Sequence, residues 1–149
     1  MAQSSSIFHH ILVPTDGSDS SIEAGKLAVE MAACNGARLT MIYVVDDDVV
    51  SELANNSESD TDEVRSDLER SGRRHLNYLS RFAKDAGLTA DQTIRYGKPY
   101  DQITDAAREL EVDLIVIGKV GSRGLRRILI GSVTERVIEH APCSVFVVK

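Results

Sequence analysis

The 149-residue chain has two cysteines, no long apolar run and no excess of positive charge, and each shortage closes a class of function. Cys34 and Cys143 stand in an apparent helix and at the start of an apparent strand, at neither C-x-x-C nor metal-ligand spacing. Both read as small core residues in a reducing setting, and no disulfide staple is needed. The formal net charge of -6 leaves no electrostatic footprint for nucleic acid or an anionic membrane. No apolar run approaches the length of a membrane span, and residues 1–6 are short and polar, without the basic and apolar regions of a secretion signal. The expected location is cytoplasmic, with residues 1–6 a flexible tail. No internal repeat appears, so solenoid architectures drop out.

What is present suits one soluble domain. Hydrophobic residues at 42% and charged residues at 27% are ordinary for a globular protein. A chain of this size buries about 68–70% of its unfolded surface, enough for a self-sufficient core.

Strand and helix patterns alternate. Ile7 to Val13 reads as a strand closed by Pro14, and a turn through Ser18 leads to a helix. Its start carries the capping box Ser20-Ser-Ile-Glu23, its inner stripe is Ala24, Leu27, Ala28, Met31 and Ala32, and Gly36 ends it. Arg38 to Val45 is a second strand. Residues 46–62 are acidic, Ser- and Asn-rich and aperiodic, so the expectation is a mobile surface loop, with Asp46, Asp47 and Asp48 solvated rather than metal-binding. Val64 to Ala86 is a long helix ended by Gly87, with His75 on or beside its apolar stripe as a partly buried structural histidine. Gln92 to Tyr96 alternates as an edge strand does, and Pro99 opens a helix whose inner residues are Ile103, Ala106, Ala107 and Leu110. Asp113 to Ile117 is a buried strand, Ser132 to His140 a helix, and Ser144 to Val148 a last strand. Five strands separated by four helices, joined by right-handed crossovers, make a doubly wound parallel sheet with helices on both faces.

The stretch Gly118 to Glu135 carries the chemistry. It joins a strand to a helix, where the first backbone N–H groups are unpaired and partly positive, a setting that attracts anions. Gly131 leaves room for a phosphate, Ser132 offers a hydroxyl, and Gly118 and Gly121 permit positive φ or close backbone approach. Lys119, Arg123, Arg126 and Arg127 add four cations. From these residues alone, a polyphosphate site and a glycine-rich connection closed by an ordinary capped helix stand nearly level. Neither G-x-x-x-x-G-K-[ST] nor G-x-G-x-x-G occurs, so neither a P-loop NTPase nor a dinucleotide enzyme is supported.

The spacing Gly118-x2-Gly121-x9-Gly131-Ser132 resembles the ATP-binding signature of the universal stress protein family. Ile11-Leu-Val-Pro-Thr-Asp-Gly-Ser18 and Pro142-Cys-Ser-Val-Phe-Val-Val148 match the family in order, so the resemblance spans almost the whole chain as one domain, 1–149. It implies a Rossmann-like sheet of the adenine nucleotide alpha hydrolase type, strand order 3-2-1-4-5, and a ligand crevice where the order reverses. Pro14 to Ser18 and Gly118 to Ser132 would then flank one crevice.

In the resulting assignment, Gly118, Gly121, Gly131 and Ser132 hold phosphates, with charge from Lys119 or from an arginine of the 119–130 stretch. Asp16 takes a ribose hydroxyl or a metal-linked role through Mg2+ on ATP. Pro14, Val44 and Ile117 offer the adenine slot. The resemblance puts further nucleotide contacts at Thr15, Ser122, Arg123 and Val133. The expected activity is ATP binding by a stress-response regulator without identifiable catalytic residues. Two alternatives are a nucleotide-independent dimeric interaction module and a weak ATPase or self-phosphorylating protein, with Ser132 or Thr134 as acceptor. The apolar edge strand Ser144 to Val148 suggests a homodimer, with a further unidentified protein partner.

Overall fold

The computed structural model describes residues 5–121 and 130–149. Its elements are β1 (His10–Pro14), α1 (Asp19–Asn35), β2 (Arg38–Asp46), α2 (Asp47–Ser57), α3 (Thr61–Asp85), β3 (Asp91–Gly97), α4 (Pro99–Glu109), β4 (Leu114–Gly118), α5 (Ser132–His140) and β5 (Ser144–Val148). All four strand pairings are parallel and the order is β3-β2-β1-β4-β5, as the sequence led us to expect. The expected tail falls largely on residues 1–4, which lie outside the described residues.

Alternation along the strands sorts two cores. Ile11, Val13, Met41, Tyr43, Leu114 and Val116 face α1 and α3, where Ala24, Ala28, Leu76 and Leu79 meet them. Leu12, Ile42, Ile115 and Ile117 face α4 and α5, against Ile103, Ala106, Ala107 and Val137. The small side of α1 permits close approach: a Cβ at Gly25 would lie 2.6 Å from Leu79 Cδ1. β1, β2 and β4 are thus buried on both faces, which is why they read as near-continuous apolar runs.

Several expectations are corrected. Residues 46–62 are not a loop: α2 occupies most of them and α3 begins at Thr61. The Asp46 carboxylate caps α2 by accepting from Asp48 N–H at 2.9 Å, Asp47 and Asp48 fill a first turn that favours negative charge, and Val50 and Ala54 anchor one face. The start of α1 is capped by Ser18, whose hydroxyl accepts from Ser21 N–H at 3.2 Å, and not by the box at Ser20. Cys34 is exposed, two residues past Ala32 and so turned away from the Ala24, Ala28, Ala32 stripe, whereas Cys143 is half-buried and burial pushes its thiol pKa up. The first strand begins at His10, because the Ile7 and Phe8 N–H groups donate to the Asn35 side chain and that of His9 to Asp113.

Candidate functional site

A cleft of about 780 Å³ opens at the carboxyl ends of the strands, lined by Pro14 from β1, Val44 and Asp46 from β2, Lys98 after β3 and Gly118 from β4. It lies where β1, placed between β2 and β4, marks the reversal of winding.

One wall is the β1–α1 loop. Thr15 N–H donates to the Ile42 carbonyl at 2.9 Å, continuing the pairing of β1 and β2 one residue past Pro14. Thr15 Oγ1 and Ser21 Oγ are 3.1 Å apart, and Asp16 N–H donates to Ser21 Oγ at 3.4 Å. Asp16 Oδ1 accepts from Ser18 N–H at 3.0 Å, which fixes the carboxylate over the turn. Gly17 has φ +83° and lies under the His75 ring, where a Cβ would come 2.4 Å from Cε1 and Nε2.

The opposite wall is the end of β4 and the start of α5. Gly118 is glycine because the chain is crowded: a Cβ there would sit 2.8 Å from both the carbonyl carbon and the carbonyl oxygen of Ser20. Its backbone is not left-handed, so room alone sets the requirement. At Gly121 a Cβ would lie 2.7 Å from Asp16 Oδ2, which puts the two loops in contact. Ser20 adds a second tie, accepting from Val120 N–H at 3.4 Å.

Helix α5 starts with no side-chain cap. Gly131 N–H donates to the Lys119 carbonyl at 2.8 Å, so among the described residues the helix-start amides without an intrahelical partner are those of Ser132, Val133 and Thr134. Gly131 contributes the missing side chain instead: a Cβ there would fill the cradle 3.2 Å from Val120 Cα and 3.5 Å from Gly121 N. Thr134 is buried and donates its hydroxyl to the Gly118 carbonyl at 2.8 Å, so that hydroxyl braces the site and is not presented to a phosphate.

Beyond this cradle the cleft turns apolar, with Ile42, Val44, Pro99, Tyr100, Ile103, Ile117 and Val133 forming a slot. The charged side chains lining the cleft are Asp16, Asp46, Asp48 and Glu135 together with Lys98 and Arg136. Burial, followed by the carboxylates of Asp16 and Asp46, pushes the Tyr43 phenol pKa up, so Tyr43 faces the cleft as a neutral hydroxyl. Among the described residues, no group of three or more His, Cys, Asp or Glu side chains is placed to hold a metal ion directly. A bare helix start, a side-chain-free cradle and an adjacent apolar slot suit a planar base joined to phosphates.

The universal stress protein family profile matches residues 7–149. A universal stress protein of Methanocaldococcus jannaschii is 38% identical over 143 residues, covering 96% of this chain and 83% of the relative. The chain belongs to the universal stress protein family. Among solved structures, the universal stress protein UspA from Lactobacillus plantarum is 31% identical, with a TM-score of 0.83 and coverage of 95% and 97%. A universal stress protein in complex with cAMP is 28% identical, with a TM-score of 0.73 and coverage of 95% and 97%.

Within this universal stress protein fold, Pro14, Thr15, Asp16, Val44, Ile117, Gly118, Gly121, Gly131, Ser132 and Val133 all line the cleft. Lys119 does not: its N–H donates to the Val148 carbonyl at 2.9 Å and its carbonyl accepts from Gly131, so its backbone serves the framework. Ser122 and Arg123 lie outside the described residues. Sequence reasoning missed His75, Lys98, Tyr100 and Arg136 as cleft residues. Only Arg136 left a usable signal, standing four residues after Ser132 and so on the same helix face.

Proposed function

We propose that this cleft binds ATP, carried with Mg2+, and that the protein acts as a nucleotide-dependent regulator of a stress response in the cytoplasm. The observation that carries the reading is the meeting of two glycine-bearing loops, Thr15–Ser18 and Gly118–Gly121, at the uncapped start of α5 beside an apolar slot. The bare amides of Ser132, Val133 and Thr134 take phosphate oxygens, the Ser132 hydroxyl adds a donor, and adenine enters between Val44 and Ile117. Asp16, fixed by Ser18 N–H, accepts from a ribose hydroxyl or from water on the metal. The relative solved with cAMP supports an adenine nucleotide as the class of ligand.

Binding without rapid turnover is part of the proposal, and it is supported by Thr134, whose hydroxyl is committed to the Gly118 carbonyl. β5 is an edge strand with Phe146 exposed, and we extend the proposal to a homodimer formed through Ser144–Val148, with a further protein partner reading the nucleotide-bound state. Among the described residues, no helix is long and apolar enough to cross a membrane. Release of bound material from freshly purified protein by acid, followed by chromatography, should yield adenine nucleotide near one equivalent per chain. Protein that carries none and takes up none from added Mg-ATP would remove the proposal.

A further inference from the structure

Tyr100 and Arg136 belong to two different helices and meet at the rim of the apolar slot. Arg136 Cζ lies 5.2 Å from the centroid of the Tyr100 ring, within cation–π range. His140, one turn further along α5, places its ring 6.0 Å from the same tyrosine, tilted by 31°. Ser132, Arg136 and His140 recur every four residues, so one stripe of α5 runs from the phosphate cradle to the tyrosine. Tyr100 is half-buried in the first turn of α4, next to Pro99, with Ile103 one turn on. Both Tyr100 and Arg136 line the cleft.

A tyrosine with an arginine cation over its ring, both lining a cleft whose slot suits a planar base, have a use beyond holding two helices together. A guanidinium is flat, weakly hydrated and stacks on aromatic faces, so it can share its face between Tyr100 and an incoming ring. We infer that Tyr100 and Arg136 form a base clamp that sets the affinity of the cleft for an aromatic nucleobase, distinct from the backbone cradle that holds the phosphates. This rests on the nucleotide reading above and assigns Arg136 to the base and not to the phosphate tail.

A lysine can replace an arginine that only neutralises phosphate, but it cannot replace one that stacks. The decisive experiment is calorimetric titration of the full chain with Mg-ATP, comparing wild type, Arg136→Lys, Arg136→Gln, Tyr100→Leu and the Tyr100→Leu/Arg136→Gln double variant. Arg136 is exposed and Tyr100 partly so, and thermal unfolding of each variant checks that the fold is kept. The clamp requires Arg136→Lys to weaken ATP binding as much as Arg136→Gln does, by about five- to thirtyfold, the range of a partly desolvated cation–π contact. It also requires the double variant to be little worse than either single one, because the two side chains act as a unit. Wild-type affinity in Arg136→Lys, unchanged binding in all variants, or losses that simply add would overturn the clamp while leaving the nucleotide site standing. No ATP binding by the wild type would remove both.

Discussion

Gly118 and Ser20, nearly a hundred residues apart in sequence, are in backbone contact: a Cβ on Gly118 would fall 2.5 Å from the Ser20 hydroxyl and 2.8 Å from the Ser20 carbonyl carbon. The end of β4 can therefore press against the first turn of α1 only where position 118 has no side chain, and this contact brings the two ligand loops together.

The first prediction follows from that contact. Gly118→Ala puts a methyl group against backbone that cannot rotate aside, so the sheet must part from α1. Overpacking of this kind costs about 1–3 kcal/mol. Urea denaturation should show the loss as a lower midpoint with an unchanged slope, and an alanine variant as stable as wild type would show that the approach is looser than described.

How much of this was legible in the sequence varies with the physics of each part. The strands stood out because two-sided burial makes them apolar throughout, and α1 because small residues recur on its inner side. Helix α2 was hidden because only Val50 and Ala54 are buried in its 11 residues, and because aspartates that suit an N-cap and first turn also suit a solvated loop. The glycine cradle was legible as spacing, but the reason for it differs by position. Gly118 answers to Ser20, Gly121 to Asp16, and Gly17 to His75. His75, Lys98 and Tyr100 reach the cleft from other parts of the chain, and which way a helix face turns is settled by packing, which no local pattern records. At Lys119 the sequence shows the charge but not the backbone bonds to Val148 and Gly131 that tie the end of β4 to its neighbours.

A second prediction concerns His10, the buried first residue of β1, at the end of the sheet opposite the cleft. The Leu110 carbonyl can only accept, so Nδ1–H donates to it at 3.1 Å, and Nε2 accepts from the Thr40 hydroxyl at 2.8 Å. Burial, aided by the Arg38 charge, holds its pKa below the ordinary histidine value, against the Leu110 hydrogen bond and the carboxylates of Asp91 and Asp113. The unfolded chain then binds more protons than the native one between the lowered folded pKa and the unfolded value of about 6.5. Stability from this group is present above that window and falls as pH drops through it. Urea midpoints at pH 5 and pH 7.5 should differ more for wild type than for His10→Gln, and equal differences would count against the neutral, bonded histidine.

The edge strand supplies a third. Phe146 is 44% exposed on β5 and Ile138 is 46% exposed on α5. If pairing of Ser144–Val148 across two chains covers this side, Phe146→Glu places charge in the joint. Sedimentation equilibrium at micromolar concentration should give a dimer for wild type and a monomer for the variant. A wild-type monomer would remove the homodimer, and a variant that still dimerises fully would place the joint elsewhere.

The central claim is that bare amides at the start of α5, reached across the Gly131 cradle, hold the phosphates of ATP. Calorimetric titration with Mg-ATP tests it most directly, run side by side on wild type and on the Gly131→Val/Ser132→Ala variant, with circular dichroism confirming that both are folded. The expected result is saturable binding near one ATP per chain for wild type and no measurable heat of binding for the variant. A folded variant that binds ATP as wild type does would contradict the claim.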